Sequence, residues 1–145
     1  AAPPPVRDNR VPLLIGGTSE AAIRRTVTWG AGWTAGGSGP ETAAPVMARI
    51  RDRWREAGRD GEPRFAALVY YSLGDEVADQ SRANLRDYYA FLGPYADQIA
   101  DSALRTPQAV RDTVRAFADI GCTELYFDPT VTSLDQIDRL AELVL

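Results

Sequence analysis

From Val11 to the carboxyl terminus, apolar runs of strand length alternate with stretches in which apolar residues return every third or fourth position. The first run, Pro12 to Ile15, is continuously apolar, as expected of a strand covered on both faces. A helix over about Glu20 to Trp29 follows, with Ile23 and Val27 on one face and Gly30 as its stop. A short strand is expected around Trp33 to Ala35, opening into the loose polar segment Gly36-Gly37-Ser38-Gly39-Pro40. The next helix aligns Val46, Ile50 and Trp54, places Pro45 in its first turn, where proline is tolerated, and ends at Gly58. Arg64 to Leu73, rich in β-branched and aromatic residues after the turn-like Asp60-Gly61-Glu62-Pro63, is the strongest strand signal in the chain.

A helical insertion is expected over residues 81–104, apolar along Leu85, Tyr88, Tyr89 and Leu92 and broken at Gly93-Pro94. It is too long for a plain strand-to-helix loop. Thr106-Pro107 reads as an N-cap followed by proline at the first helical position, with Val110, Val114 and Phe117 on one stripe and Gly121 at the end. A last strand, Glu124 to Phe127, leads through Asp128-Pro129 to a capping box from Ser133 to Gln136. The terminal helix then presents Leu134, Ile137, Ala141 and Val144. Strict alternation of strands and helices implies right-handed βαβ units and a parallel sheet, in one α/β unit over 1–145 whose residues 1–10 form a proline-rich extended lead.

The stretch VPLLIGGTSEAAIRR, Val11 to Arg25, carries the clearest chemistry. Two glycines let the backbone turn tightly and approach a ligand with no Cβ in the way. Thr18 or Ser19 can cap the helix, and the free N–H groups of its first turn face any bound anion. The spacing is that of neither the Rossmann fingerprint nor the P-loop, and no lysine follows. A tight turn with no ligand would use the same glycines. Both open α/β sheets and (β/α)8 barrels bind ligands at the carboxyl ends of their strands, where this turn falls.

Composition narrows the chemistry by what it lacks. The chain of 145 residues is 45% hydrophobic and 25% charged, the make-up of a globular domain. It has no histidine, and all sixteen basic residues are arginines. A Ser-His-Asp or Cys-His triad, a histidine-ligated zinc, a Schiff-base lysine and a Walker-type lysine are therefore impossible from this chain alone. Cys122 is the single cysteine, expected as a buried structural thiol, so neither an intrachain disulfide nor a cysteine-rich metal site can form. The net charge of −4 argues against nucleic acid or anionic membrane as a partner, and the default location is cytoplasmic. Arg49, Arg51, Arg53, Arg55 and Arg59 crowd one helix but alternate with Asp52, Glu56 and Asp60, the pattern of a solvated face.

In order and spacing, the lead PPPVRDNRVPLLIGG, the helix start SEAAIRR, the following GAGWTAG and the late join RAFADIGCTELYFDP resemble the luciferase-like monooxygenases. That family includes bacterial luciferase and the deazaflavin-dependent oxidoreductases. The resemblance spans nearly all of the chain and implies a (β/α)8 TIM-barrel fold, with this chain as a half barrel, strands five to eight. It implies that Gly16, Gly17, Thr18 and Ser19 hold the phosphate of FMN or of the deazaflavin coenzyme F-420. It also implies that Trp33, Ala35 and Gly36 lie beside the cofactor tail, although Trp33 could equally be core packing. Where the family commonly reads GDGW the chain has Gly30-Ala31-Gly32-Trp33, and the carboxylate is missing.

The implied activity is that of a flavin- or deazaflavin-dependent oxidoreductase or monooxygenase, in which the cofactor performs the redox chemistry and the protein orients it. Tyr70, Tyr71, Ser72 and Asp128, near strand ends, are candidates for the substrate wall; alternation lets only one of the two tyrosines face the barrel interior. Asp128 could merely begin a turn, and the adjacent acids Asp75 and Glu76 read as solvated. No catalytic residue is singled out and no metal site is expected. A complete barrel needs about 250 residues, so the chain reads as a fragment with two unpaired strand edges, expected to form a homodimer or a complex with the missing N-terminal half. Two other readings stay open: a non-catalytic half-barrel binding or assembly module, and an unrelated doubly wound phosphate-binding enzyme.

Overall fold

The computed structural model describes residues 11–145, so the lead expected over residues 1–10 lies outside the described residues. The elements run β1 (Leu14–Gly16), α1 (Glu20–Trp29), β2 (Gly32–Thr34), α2 (Pro40–Glu56), β3 (Arg64–Tyr71), α3 (Ala78–Tyr88), α4 (Tyr95–Ser102), α5 (Pro107–Asp119), β4 (Glu124–Pro129) and α6 (Asp135–Val144). Short 3-10 turns, Asp75–Val77 and Ala90–Leu92, precede and follow α3. The strands form one parallel sheet in the order β1-β2-β3-β4. The chain divides into two compact units, one containing the sequence up to Ala67 with Cys122–Glu124, the other Leu68–Gly121 with Leu125–Leu145.

In the first unit, α1 buries Ala22, Ile23 and Thr26, and α2 buries Ala43, Val46, Met47, Ile50 and Trp54, the stripe its spacing predicts. Trp33 and Phe65 from β2 and β3 complete this core. Each such large side chain contributes about 1.5–3 kcal/mol by leaving water. Gly32 pairs in register with Arg64. The start of β4 is held by Thr123, whose N–H and hydroxyl both donate to the Phe65 carbonyl, and by Arg64 on Glu124, two bonds of 2.7 Å. Cys122 is half-buried, its thiol donating to the Phe65 carbonyl, and burial pushes its pKa up.

One expectation for this unit needs correction. Helix α2 begins at Pro40, with Gly39 as its N-cap, so Pro45 lies inside the helix and not in its first turn. Pro40 wins the N1 position because its fixed φ suits it and its missing N–H would have been an orphan anyway. Pro45 then removes the partner of the Glu41 carbonyl, on a face where both residues are exposed to water.

The second unit contains two apolar clusters, one of Tyr71, Leu73 and Val110 with Leu104, Phe127, Leu140 and Leu143, the other of Leu85, Ala100 and Ala103 with Tyr70, Tyr89 and Ile99. The insertion begins earlier than its apolar period suggests, at Asp75, and its exit is pinned by Leu104, which bridges Tyr71 in parallel. Tyr88, 70% exposed, and Leu92, 38% exposed, do not join its buried side as the spacing predicts. Small residues, Ser81, Ala96, Ala100 and Ala103, take that place. Helix α5 has the expected start, with the Thr106 hydroxyl accepting from the Ala109 N–H at 3.1 Å and Pro107 in its first turn.

The expected capping box and apolar stripe of α6 are both corrected. The N-cap is Leu134 with no side-chain bond, and Gln136 is buried and directed elsewhere. Leu140 and Leu143 form the packed stripe, whereas Leu134, Ile137 and Val144 are exposed. Strand β4 runs through Pro129 rather than stopping at Phe127, so Asp128 belongs to the strand. A proline without an N–H is tolerated at that terminal position.

Candidate functional site

Gly16 ends β1 and Gly17 follows it with φ +97°, a left-handed conformation that a side chain would strain. Both glycines, and Thr18 and Ser19 after them, are exposed. Of the two capping candidates Ser19 does the work: its hydroxyl accepts from the Ala22 N–H at 3.2 Å. The N–H groups of Ser19, Glu20 and Ala21 have no acceptor within the helix, being part of its first turn. An anion docked there would meet those donors and the positive end of the α1 dipole. Glu20 opposes this with a negative charge in the first turn, offset by its ion pair with Arg49 of α2.

Trp33 is 1% exposed, and its indole N–H donates to the Gly17 carbonyl at 2.8 Å. It stands behind the glycine turn. Ala35 is half-buried, bonded through its N–H to the Ala66 carbonyl, and Gly36 is exposed with φ +57°. A cleft of about 420 Å³ between α1 and α2, lined by Glu20, Arg24, Val27, Thr28, Arg53 and Glu56, belongs to the outer flank of these helices. The arginines of α2 are mostly paired on the surface, as expected: Arg53 with Glu56 and Arg55 with Asp52. Arg59 departs from that pattern by stacking 3.8 Å over Trp54 and donating to the Val27 and Gly30 carbonyls, which closes the carboxyl end of α1.

The residues expected in the substrate wall lie in the second unit, and the structure sorts them. Tyr71 is in the core, its hydroxyl donating to the Gln136 carbonyl at 3.2 Å. Tyr70 is half-buried, its hydroxyl 2.5 Å from that of Tyr89. Burial first, and the shared hydrogen bond with Tyr89 next, push the Tyr70 phenol far above its ordinary pKa, so it stays protonated at neutral pH. Asp128 is exposed and adds to that upward pressure. Ser72 is fully buried, its hydroxyl without a partner among the described residues. Glu76 pairs with Arg139 at 2.7 Å, and its carboxyl is held below the ordinary range by its own backbone N–H and then by that guanidinium.

Two residues of the site were not found by sequence reasoning. Tyr89 read as an apolar position of the insertion, and only its pairing with Tyr70 gives its hydroxyl a place. Gln136 read as a cap, whereas its side chain accepts from the Leu73 N–H at 2.6 Å and donates to the Leu73 carbonyl at 3.0 Å, fixing the segment after β3. No sequence signal links positions 63 residues apart. Among the described residues no cluster of metal-ligating side chains occurs, and no helix is long and apolar enough to cross a membrane.

A parallel sheet flanked by helices, with a glycine turn and capped helix at the carboxyl end of its first strand, defines an α/β protein of the (β/α)8 type, present here as four of the eight strands. The chain belongs to the luciferase-like monooxygenase family, whose model matches residues 1–114. No curated protein sequence matches it. Among solved structures it is similar to an F-420-dependent secondary alcohol dehydrogenase in complex with an F-420–acetone adduct, with a TM-score of 0.70 and 18% identity over 94% of this chain and 49% of that one. It is also similar to a riboflavin lyase with modified FMN and its substrate riboflavin, with a TM-score of 0.63 and 12% identity over 89% and 41%. A third is the EDTA monooxygenase of a Chelativorans species, with a TM-score of 0.62 and 14% identity over 92% and 45%. The chain spans about half the length of these relatives.

Proposed function

We propose that this chain is the cofactor-anchoring half of a flavin- or deazaflavin-dependent oxidoreductase or monooxygenase of the luciferase-like type. The observation that carries the reading is the exposed Gly16-Gly17-Thr18-Ser19 turn opening a capped helix, in a family whose solved relatives include proteins with bound F-420 and FMN. Gly16, Gly17, Thr18 and Ser19 would hold the cofactor phosphate, with Ala35 and Gly36 beside its tail. FMN and F-420 share a phosphate on a ribityl chain, so the same turn fits either. When bound, the cofactor ring supplies the hydride or oxygen chemistry. Tyr70 and Asp128 would contribute to the substrate wall, where the Tyr70–Tyr89 pair offers a neutral hydroxyl donor, whereas Ser72, fully buried, would lie behind it.

The exposed stripe of Leu134, Ile137 and Val144 on α6, together with the sheet edges at β1 and β4, supports a partner that completes the barrel: a second copy or an N-terminal half. Light scattering at high concentration that finds only monomer would remove the homodimer.

The reading is tested by fluorescence titration with FMN and separately with F-420, on the protein and on its Gly17→Glu variant. Saturable binding that falls at least tenfold in the variant is expected, because a side chain at φ +97° is strained and its carboxylate competes with the phosphate. Equal binding by the variant would place the cofactor elsewhere; binding that stays without turnover after an N-terminal half is added would favour the assembly-module reading. Glu20→Gln is expected to act in the opposite sense. It removes the first-turn negative charge and releases Arg49, tightening phosphate binding by about two- to fivefold at low salt. Parallel titrations at low and high salt check it, since the gain should shrink as screening rises.

A further inference from the structure

Resting on the anchor reading above, we infer that Trp33 is a positioning residue, whose indole N–H holds the Gly17–Thr18 peptide in the one orientation that presents an N–H, and not a carbonyl, to the anion. Turning this peptide over rotates ψ of Gly17, which glycine leaves open, together with φ of Thr18. The two orientations differ in sign at the site. A trans peptide directs its N–H opposite its C=O, so with the Gly17 carbonyl bound 2.8 Å from the buried indole nitrogen, the Thr18 N–H points away from Trp33. That is the side on which Thr18 and Ser19 are exposed. In the flipped state a carbonyl oxygen would face the phosphate and repel it.

Thr18, branched at Cβ, disfavours the positive φ that full inversion needs, and the indole bond adds to that preference. Ser19 spends its hydroxyl on Ala22, and the Ile23 N–H binds the Ser19 carbonyl, which orders the helix from Ser19 onward and leaves the preceding peptide to other contacts. Trp33 is itself rigidly placed: it lies in β2 in register with Ile15 of β1 and Phe65 of β3, and its ring is in the core. The turn is thus set by the neighbouring strand before any ligand arrives, which spares binding the cost of ordering it.

The test compares the protein with Trp33→Phe, which keeps an aromatic ring and loses the donor. A second variant carries β-(3-benzothienyl)alanine at position 33, close to indole in shape and likewise without an N–H, should phenylalanine disturb folding. Three quantities are read: the Kd for inorganic phosphate, the Kd for FMN, and the sequential NOE between Gly17 Hα and the Thr18 N–H, which reports the orientation of that peptide, in the unliganded protein. The expected result is a fall of about five- to tenfold in affinity for both phosphate and FMN, the worth of one hydrogen bond, with an NOE shifted toward a mixture of peptide orientations. Loss of FMN affinity with phosphate affinity intact would overturn the inference, because Trp33 would then touch the flavin ring directly. An unchanged NOE with unchanged affinities would also overturn it. If the unsubstituted protein bound neither probe, the anchor reading would fail by itself. The NOE would still decide the inference, since an unaltered NOE in both variants refutes the indole's hold on the peptide and an altered one sustains it.

Discussion

Replacing Gly32 with alanine is expected to lower stability by about 3 kcal/mol or more. A Cβ at this position would fall 2.6 Å from the Arg64 carbonyl carbon and 2.8 Å from its Cα, and closer still to the carbonyl oxygen. These are backbone atoms and have no rotamer to adopt. Relief would require β2 to move off β3, breaking the register Gly32↔Arg64, Trp33↔Phe65 and Thr34↔Ala66. Arg64 cannot retreat cheaply, because its N–H is bonded to the Ala31 carbonyl and its guanidinium is held at two points by Glu124. Urea unfolding of Gly32→Ala against Gly37→Ala makes the comparison fair. A Cβ at Gly37 meets nothing within 4 Å, so that variant should stay within about 0.5 kcal/mol of the parent. Equal midpoints for the two variants would refute the close-approach argument.

The consequence reaches the proposed anchor. Trp33 follows Gly32 directly, and its bond to Gly17 depends on β2 lying where it does. Glycine at 32 therefore sets the strand spacing, and the strand in turn sets the turn. A loss of cofactor binding in Gly32→Ala is expected to accompany the loss of stability, whereas in Trp33→Phe the two should separate.

What was legible in the sequence was local. The glycine turn, a cap at Thr18 or Ser19, the Thr106-Pro107 helix start and the Val46, Ile50, Trp54 stripe each depend on contacts within one turn or on one period; the choice of Ser19 over Thr18 needed the structure. The wall residues were legible only as positions near strand ends; which tyrosine faces the core depended on partners tens of residues away. Helix α6 shows the difference most plainly. Its sequence offers two apolar stripes, one through Leu134 and Ile137 and one through Leu140 and Leu143, and hydrophobicity alone chose the first. The structure chooses the second because it brings Gln136 inward, where a polar side chain meets the backbone of Leu73. A buried glutamine outranks two leucine-sized positions only when its partners are known, and those partners are not in the local pattern. Gly32 was hidden for the same reason, since its neighbour Arg64 is a pairing and not a sequence fact. The role of Pro45 was misread because Pro40 offered an earlier start.

Gln136→Leu is expected to cost about 2–4 kcal/mol, although leucine is the more hydrophobic residue and fits a buried position. The Leu73 N–H, bonded at 2.6 Å to the Gln136 side-chain oxygen, would be left buried with no acceptor. The Leu73 carbonyl would be less affected, because Arg139 also donates to it at 2.7 Å. The orphaned N–H is thus the dominant cost, and accelerated exchange of that one amide should accompany the lowered urea midpoint. Gln136→Glu separates the two bonds by pH. Its side chain still accepts from the Leu73 N–H, but as a carboxylate it faces the Leu73 carbonyl with no proton to donate, in a buried site that raises its pKa. A carboxyl with a raised folded pKa is most favourable while protonated. The variant should therefore approach the parent near pH 4 and fall progressively behind it as pH rises above the ordinary glutamate value of about 4.3. A deficit that does not change between pH 4 and pH 7 would mean that Gln136 is not buried against Leu73, and the segment after β3, with Ser72 on it, would then need another support.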